Sequence, residues 1–146
     1  MEKVINFLKL PWKTKLLLVE AFFNLGRARY LKRIPFENLA LVLGEPMKET
    51  DYSPNEFHKD ELIRISRAIY QMSRYTFWES ECMVKAIAGM KMLERRHIAS
   101  TIYFGTAKDE KGALIAHAWL RCGPYYISGA EGMERFTVVA KFAKQL

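Results

Sequence analysis

Two side chains in this sequence have the chemistry of a nucleophile and its base. Cys82 lies in the segment FWESECMVKAIAGMKML, and His117 lies 35 residues later in AHAWLRCG. A cysteine becomes a strong nucleophile when a neighbouring imidazole takes its proton, and the same imidazole can return that proton to a leaving amine. If the two side chains meet, the pair predicts acyl transfer through a thioester.

Cys82 is expected in the first turn of a helix. Residues 81–96 have helical periodicity, with a core stripe of Met83, Ala86, Ile87, Met90 and Leu93. Ser80 is one candidate cap, and it would place the thiol near the positive end of the helix, which favours a thiolate. Thr76 and Glu79 have the spacing of a capping box and would start the helix earlier.

His117 lies in an apolar run, ALIAHAWLR, that alternates like a strand. One face carries Ile115, His117, Trp119 and Arg121, and the other carries Leu114, Ala116, Ala118 and Leu120. On the helix, a second stripe of Cys82, Ala86, Gly89 and Leu93 includes small residues that allow a strand to approach. If the His117 face covers this stripe, His117 reaches the thiol and Trp119 shields the site from water.

The remaining elements place this helix and strand in an α+β architecture. Periodicity and helix-ending residues predict helices at 2–9, from Pro11 to about Arg33, in FENLALVLG and at about 59–75, with a polar loop at 45–57. From Thr101 the period shortens to strands, TIYFGT, ALIAHAWLR, YYIS and FTVVAKF, as in an antiparallel meander. We predict a single domain, 1–146, with a helical part at 1–75 and the cysteine helix plus antiparallel sheet at 76–146.

Composition excludes several classes of protein. Two cysteines among 146 residues are too few for a disulfide scaffold. No apolar stretch approaches the ~20 residues of a membrane-spanning helix, and no signal peptide is visible. The three histidines lack ligand spacing, so we expect no metal and no cofactor. We expect a soluble, cytoplasmic protein whose net charge of +7 favours an acidic partner or surface.

A cysteine helix followed by His-Ala-Trp on a strand resembles the papain-type core of transglutaminase-like proteins. More closely, CMVKAIAGMKMLERRHI, IYFGT, AHAWLRCG, ISG and FTVVAKF resemble the leader peptidases of lasso-peptide biosynthesis, over roughly residues 78–142. The resemblance implies a cysteine peptidase that removes the leader from a ribosomally made precursor, with Cys82 as nucleophile and His117 as base. It also implies three partners: the precursor, a small leader-recognition protein and an ATP-dependent cyclase, with the part at 1–75 as docking region.

The family's third catalytic residue is an aspartate after the histidine, and this sequence has none after Asp109. Glu131 is the nearest carboxylate after His117 and is the favoured substitute. Ser128 would face the imidazole if the hairpin turn is centred on residues 122–123. A backbone carbonyl would also serve to orient the ring.

Trp119, Tyr103 and Ser128 are the candidate substrate-binding residues beside this pair. Three alternatives stay open. Cys122 could be the reactive thiol. The same dyad could serve a transglutaminase or amidase, since both reactions pass through a thioester. The chain could also be a non-catalytic adaptor that binds a leader or nucleic acid through its basic helical face, Arg27, Arg29, Lys32 and Arg33, although no nucleic-acid motif is present and none is expected as partner.

Overall fold

The computed structural model describes residues 2–53, 58–78 and 80–145, except for the side chain of Lys3. The helices are α1 (Glu2–Lys9), α2 (Trp12–Leu31), α3 (Phe36–Leu43), α4 (Lys59–Ser73) and α5 (Cys82–Arg95). The strands are β1 (Glu45–Pro46), β2 (Ser100–Lys108), β3 (Leu114–Cys122), β4 (Tyr125–Ser128) and β5 (Thr137–Lys144), and a short 3-10 helix at Met133–Arg135 precedes β5. Helices come first and the sheet follows, so the predicted α+β class is confirmed.

Proline and glycine residues set the bounds of the early helices. Pro11 and Pro35 stand immediately before α2 and α3, where a missing N–H costs no helical hydrogen bond. Gly44 ends α3 with a φ of 117°, and a Cβ there would lie 2.8 Å from the backbone carbon of Ala143. Only glycine fits this position, because α3 passes directly against the backbone of β5.

The five strands form one antiparallel sheet in the order β1-β5-β2-β3-β4. Strands β2, β3 and β4 are the predicted meander. The predicted continuation is wrong, since β5 crosses the sheet and pairs with β2 rather than with β4. The two-residue strand β1 lies in the predicted loop at 45–57, of which residues 54–57 fall outside the described part of the chain.

Helix α5 is the centre of the hydrophobic core, with the sheet on one side and α2 and α4 on the other. It packs on the sheet face that carries Ile102, Leu120 and Phe142. A Cβ on Gly89 would lie 2.7 Å from Leu120 Cδ2 and 3.2 Å from Ile69 Cδ1, so the helix approaches both neighbours closely. Burying such aliphatic side chains contributes about 1.5–3 kcal/mol each, which anchors α5 firmly on the sheet.

The opposite face of the sheet is covered by residues 49–53, which we call the strap. Arg121 is 0% exposed beneath it, and among the described residues no hydrogen bond joins it to a carboxylate. Its guanidinium donates instead to oxygens of Tyr103 (2.9 Å), Thr50 (2.8 Å), Asp51 (3.2 Å), Gly123 (2.8 Å) and Thr101 (3.3 Å). The ring centre of Tyr52 lies 3.6 Å from its Cζ. A buried charge is tolerated when it is hydrogen-bonded in this way.

Helix α4 closes the outer edge of β4. The hydroxyl of Ser66 donates to the carbonyl of Ile127 (2.7 Å), and the hydroxyl of Tyr70, one turn later, accepts from the N–H of Gly129 (3.0 Å). These are backbone groups that a further strand would use. In the described part of the chain, no helix combines the length and the apolar character required to cross a membrane.

Candidate active site

Cys82 is the first residue of α5, as the sequence predicts. The helical hydrogen bonds begin at the carbonyl of Glu81, which accepts from the N–H of Lys85 (3.0 Å). The thiol is free and half-exposed. Backbone N–H groups of the first turn have no partner within the helix and carry its partial positive charge. The position therefore offers donors to a nearby oxyanion.

Both predicted caps are wrong. The residue at the cap position is Glu81, and its side chain makes no capping hydrogen bond. The hydroxyl of Ser80 lies 2.8 Å from that of Thr76, so these two side chains hydrogen-bond to each other within the connection between α4 and α5. Such local hydrogen bonds compete with capping. Glu79, the other member of the proposed capping box, lies outside the described residues.

His117 is oriented by a backbone carbonyl. Its Nε2 lies 2.7 Å from the carbonyl oxygen of Gly129. Because a carbonyl can only accept, Nε2 carries the proton and donates it, which leaves the lone pair on Nδ1. The rings of Trp119 and Phe136 flank the imidazole at 5.6 and 5.0 Å between centroids. The tautomer and the orientation suit a base that accepts a proton at Nδ1.

Gly129 connects this histidine to the helical layer. Its φ is 74°, and a Cβ there would lie 2.8 Å from the Cβ of Trp119. Its N–H donates to the hydroxyl of Tyr70 (3.0 Å), and Lys85 Nζ, one turn after the cysteine, lies 4.9 Å from the centre of the Tyr70 ring. Three successive contacts thus lead from the start of α5 to His117. Neither Tyr70 nor Gly129 could be identified as a functional residue from the sequence. The only signal was the ISG segment, which contains Gly129.

The expected contact face is wrong. Strands β2 and β3 pair without a break, so His117, opposite Gly105, shares its sheet face with Trp119, opposite Tyr103. Helix α5 packs on the other face, against Leu120. Of the apolar alternate positions, Ala118 and Leu120 are buried in the core and Leu114 is exposed, whereas Arg121 on the other face lies under the strap. Among the described residues, no hydrogen bond joins the Cys82 thiol to the imidazole.

The edge of β3 is where the two sides of the sheet come together. Strand β4 pairs with β3 only from Leu120 to Cys122. Where that pairing ends, Gly129 contacts the helical layer through its N–H and His117 through its carbonyl. Gly129 is therefore the residue through which the helical layer contacts His117 at this edge of the sheet.

The structure does not bring Glu131 to His117. Glu131 is exposed in the turn after β4, and the Gly129 carbonyl occupies the position expected for a third catalytic group. The backbone carbonyl left open by the sequence is thus the one observed. Ser128 does not face the imidazole either: it pairs with Leu120, and its buried Oγ has no hydrogen-bond partner among the described residues.

The register of Ser128 differs from the prediction for a local reason. Cys122 pairs with Tyr125, so the turn is formed by residues 123–124, and the ladder then shifts between Leu120 and Arg121. An irregularity of this kind moves every later residue of the strand.

The two predicted aromatic residues lie beside the histidine. Trp119 is buried and stacks on His117, and Tyr103 stacks on Trp119 at 5.6 Å with the planes 12° apart. The hydroxyl of Tyr103 is already bonded to Arg121. Trp119 therefore lies next to the imidazole as expected, whereas Tyr103 supports Trp119 from behind.

The second cysteine has the properties of a core residue. Cys122 is 7% exposed. Burial raises the pKa of the Cys122 thiol, and the nearby charge of Arg121 offsets this only in part. Its thiolate is therefore less accessible than one at the half-exposed Cys82. Within residues 2–53, 58–78 and 80–145, no cluster of three metal-ligating side chains is found.

The fold places a cysteine at the start of a central helix, packed on an antiparallel sheet that carries an oriented histidine. The family model of the Transglutaminase-like superfamily matches residues 28–141, well over half of the chain. The chain belongs to this superfamily, which includes cysteine peptidases and transglutaminases. No significant match was found among curated proteins or among solved structures.

Proposed function

We propose that this chain is a cytoplasmic cysteine peptidase that removes the leader from a lasso-peptide precursor. The observation that carries the proposal is an oriented histidine in the same fold as a cysteine that opens the central helix. Cys82 opens the central helix of a transglutaminase-like fold, and the Gly129 carbonyl holds His117 with Nδ1 free to accept a proton. The sequence resemblance to leader peptidases supports the substrate class.

The proposed reaction has two steps. Nδ1 of His117 takes the thiol proton, and the sulfur of Cys82 attacks the carbonyl carbon of the leader's last residue. The backbone N–H groups at the start of α5 stabilise the oxyanion. The intermediate collapses to a leader thioester as His117 protonates the departing amine of the core peptide. Water, deprotonated by His117, then releases the leader and regenerates the thiol.

This chemistry requires Sγ of Cys82 and Nδ1 of His117 to come within hydrogen-bond reach. Catalytic contacts are often longer in a free enzyme and tighten when substrate binds. We place their meeting point at the open edge of β3, because Gly129 there contacts both layers. In this proposal Gly129, rather than Glu131, holds the imidazole, and Trp119 excludes water from it.

The partners are part of the same proposal. A leader-recognition protein presents the precursor, and a separate cyclase uses the freed amine. No cofactor takes part in the reaction. The helical part of the chain is the proposed docking region, and exposed Leu41 on α3 and Ile63 on α4 are apolar side chains available for contact.

The test is cleavage of the precursor by the full chain in the presence of the recognition protein, followed by mass spectrometry of the products. We expect the leader and the core peptide as separate masses. Cys82→Ala should abolish cleavage, whereas the matched Cys122→Ala should retain it. An intact precursor with the wild-type protein, or cleavage by Cys82→Ala, would remove the proposal.

Adding a small primary amine separates hydrolysis from the alternative amine transfer. A peptidase releases the leader as a free acid, whereas amine transfer joins the leader's acyl group to the added amine, so the product is heavier than the acid by the mass of the amine minus that of water. Alkylation by iodoacetamide separates either enzyme from a non-catalytic adaptor. We expect Cys82 to be alkylated faster than Cys122, and His117→Ala to slow the alkylation of Cys82. Equal alkylation rates of Cys82 in the wild type and in His117→Ala would favour the adaptor.

A further inference from the structure

Helix α2 has apolar side chains on two opposite sides. Leu18, Ala21, Leu25 and Ala28 are buried in the core. The other side carries what we call the outer stripe, whose members are between 42% and 68% exposed: Trp12, Leu16, Val19, Phe23 and Tyr30. Their spacing of four, seven, eleven and eighteen residues keeps them on one side of the helix over about 27 Å. Core packing therefore does not explain the outer stripe.

Positive charge is concentrated around this stripe. Residues 1–33 contain eight lysines or arginines against two glutamates, which gives +6 of the chain's net +7. The only acidic residue of α2, Glu20, is paired with Arg96 (2.7 Å) and Arg95 (3.3 Å). A groove of about 700 Å³ beside the stripe is lined by further cations, including Arg64 and Arg95. The region is thus apolar along its centre and cationic along its sides.

We propose that the outer stripe of α2 binds the surface of an anionic lipid bilayer, with the helix lying in the interface. Apolar side chains of such a helix enter the boundary between headgroups and acyl chains, while lysine and arginine pair with anionic headgroups. Trp12 and Tyr30 stand at the two ends of the stripe, and aromatic rings of this kind favour the interface. The inference does not depend on the proposed peptidase activity.

The arrangement favours lipid over two other occupants. Nucleic acid is bound mainly by contacts to phosphates and by stacking on exposed bases, which leaves Leu16 and Val19 without a role. A protein interface usually carries charges of both signs at its rim. Here the flanking charges are mostly positive, and the two glutamates of the groove, Glu20 and Glu61, are both paired with Arg96, so the net charge matches a negative surface. Protein partners of the helical part are then left to α3 and α4.

The test is co-sedimentation of the full chain with vesicles of phosphatidylcholine alone, or of equal parts phosphatidylcholine and phosphatidylglycerol. We expect binding to the anionic vesicles only, and release at about 1 M salt, where the screening length falls to ~3 Å. Trp12 fluorescence should shift to the blue on binding. Trp119 is buried and should not respond, but Trp78 packs against Gly26 of α2, so the difference between the wild type and a Trp12→Phe variant isolates the signal of Trp12.

The double variant Leu16→Ser/Phe23→Ser should weaken vesicle binding at least about tenfold, and Lys13→Glu/Lys15→Glu should do the same. The matched control is Leu41→Ser, which changes a highly exposed leucine away from the stripe and should bind normally. Circular dichroism confirms that each variant is folded. Equal binding to neutral vesicles, binding unaffected by the stripe variants, or a stripe-dependent dimer or RNA complex without vesicle binding would overturn the proposal.

Discussion

The two faces of the sheet are built on different principles. The face toward α5 consists of aliphatic and aromatic side chains such as Ile102 and Leu120, packed against other apolar groups. The face under the strap holds a buried arginine, bonded by five oxygens, and a row of rings that ends at His117. Apolar packing depends on volume, whereas the second face depends on the geometry of individual hydrogen bonds. His117 lies on the second face, so its position depends on individual hydrogen bonds rather than on packing volume.

The largest effect is expected for Arg121→Ala. Removing the guanidinium leaves buried oxygens of Thr50, Tyr103 and Gly123 without their donor, and each such group costs about 1–3 kcal/mol. We expect the free energy of unfolding to fall by about 3–5 kcal/mol in urea titrations. The exposed Arg64→Ala should change it by less than about 0.5 kcal/mol. A loss below ~1 kcal/mol for Arg121→Ala would show that this face of the sheet does not depend on the hydrogen bonds of Arg121.

A somewhat smaller loss is expected for Leu120→Ala on the other face. Deleting a buried leucine side chain typically costs about 2–5 kcal/mol, and here it opens a cavity against α5. Leu120→Met should cost less than about 1.5 kcal/mol because volume is kept. Arg121→Lys, equally conservative in charge, should cost more than Leu120→Met, because lysine lacks the planar fork. Equal costs for the two conservative changes, measured by denaturant unfolding, would show that the faces do not differ.

The third change, Gly129→Ala, tests how the face under the strap holds the histidine. The new Cβ would meet the Cβ of Trp119 at 2.8 Å, so the Gly129 carbonyl must move away from His117. We expect a loss of about 1–3 kcal/mol in stability and slower alkylation of Cys82. The matched control is Gly112→Ala: its φ of 80° is similar, but nothing lies within 4 Å. If Cys82 is alkylated at the wild-type rate in both variants, the Gly129 carbonyl does not orient His117.

The smallest effect concerns acid. Burial alone would raise the pKa of Glu49 in the strap, but the hydrogen bond and charge of Lys141, with the charge of Arg121, lower it below the usual 4.5. A carboxylate with a lowered pKa stabilises the fold above its unfolded value, and this contribution is lost as pH falls below about 4.5 through the folded pKa. Glu49→Gln should flatten the pH dependence of stability by a few tenths of a kcal/mol. A pH profile identical to that of the wild type would exclude Glu49 as a source of acid sensitivity.

Much of the sheet face toward α5 could be predicted from the sequence, whereas little of the face under the strap could be. The α5 stripe and the β3 alternation are local patterns, so the cysteine helix and the histidine strand were found. The partner of β5 depends on contacts distant in sequence. The strap was expected as loop, and Arg121 has the residue type of a solvent-exposed position. The group that orients His117 was sought among side chains, and a backbone carbonyl has no residue type to reveal it.

The hydroxyls of Ser66 and Tyr70 on β4, together with the shortness of β1, have a consequence for the behaviour of the protein at high concentration. Each lateral margin of a sheet is a template on which another chain can polymerise. At one edge of this sheet, the side chains of Ser66 and Tyr70 on α4 hydrogen-bond to backbone groups of Ile127 and Gly129. The other edge is a two-residue strand that contains Pro46, which has no N–H to donate. At β4 and at β1, the sheet therefore offers few free backbone groups to another molecule.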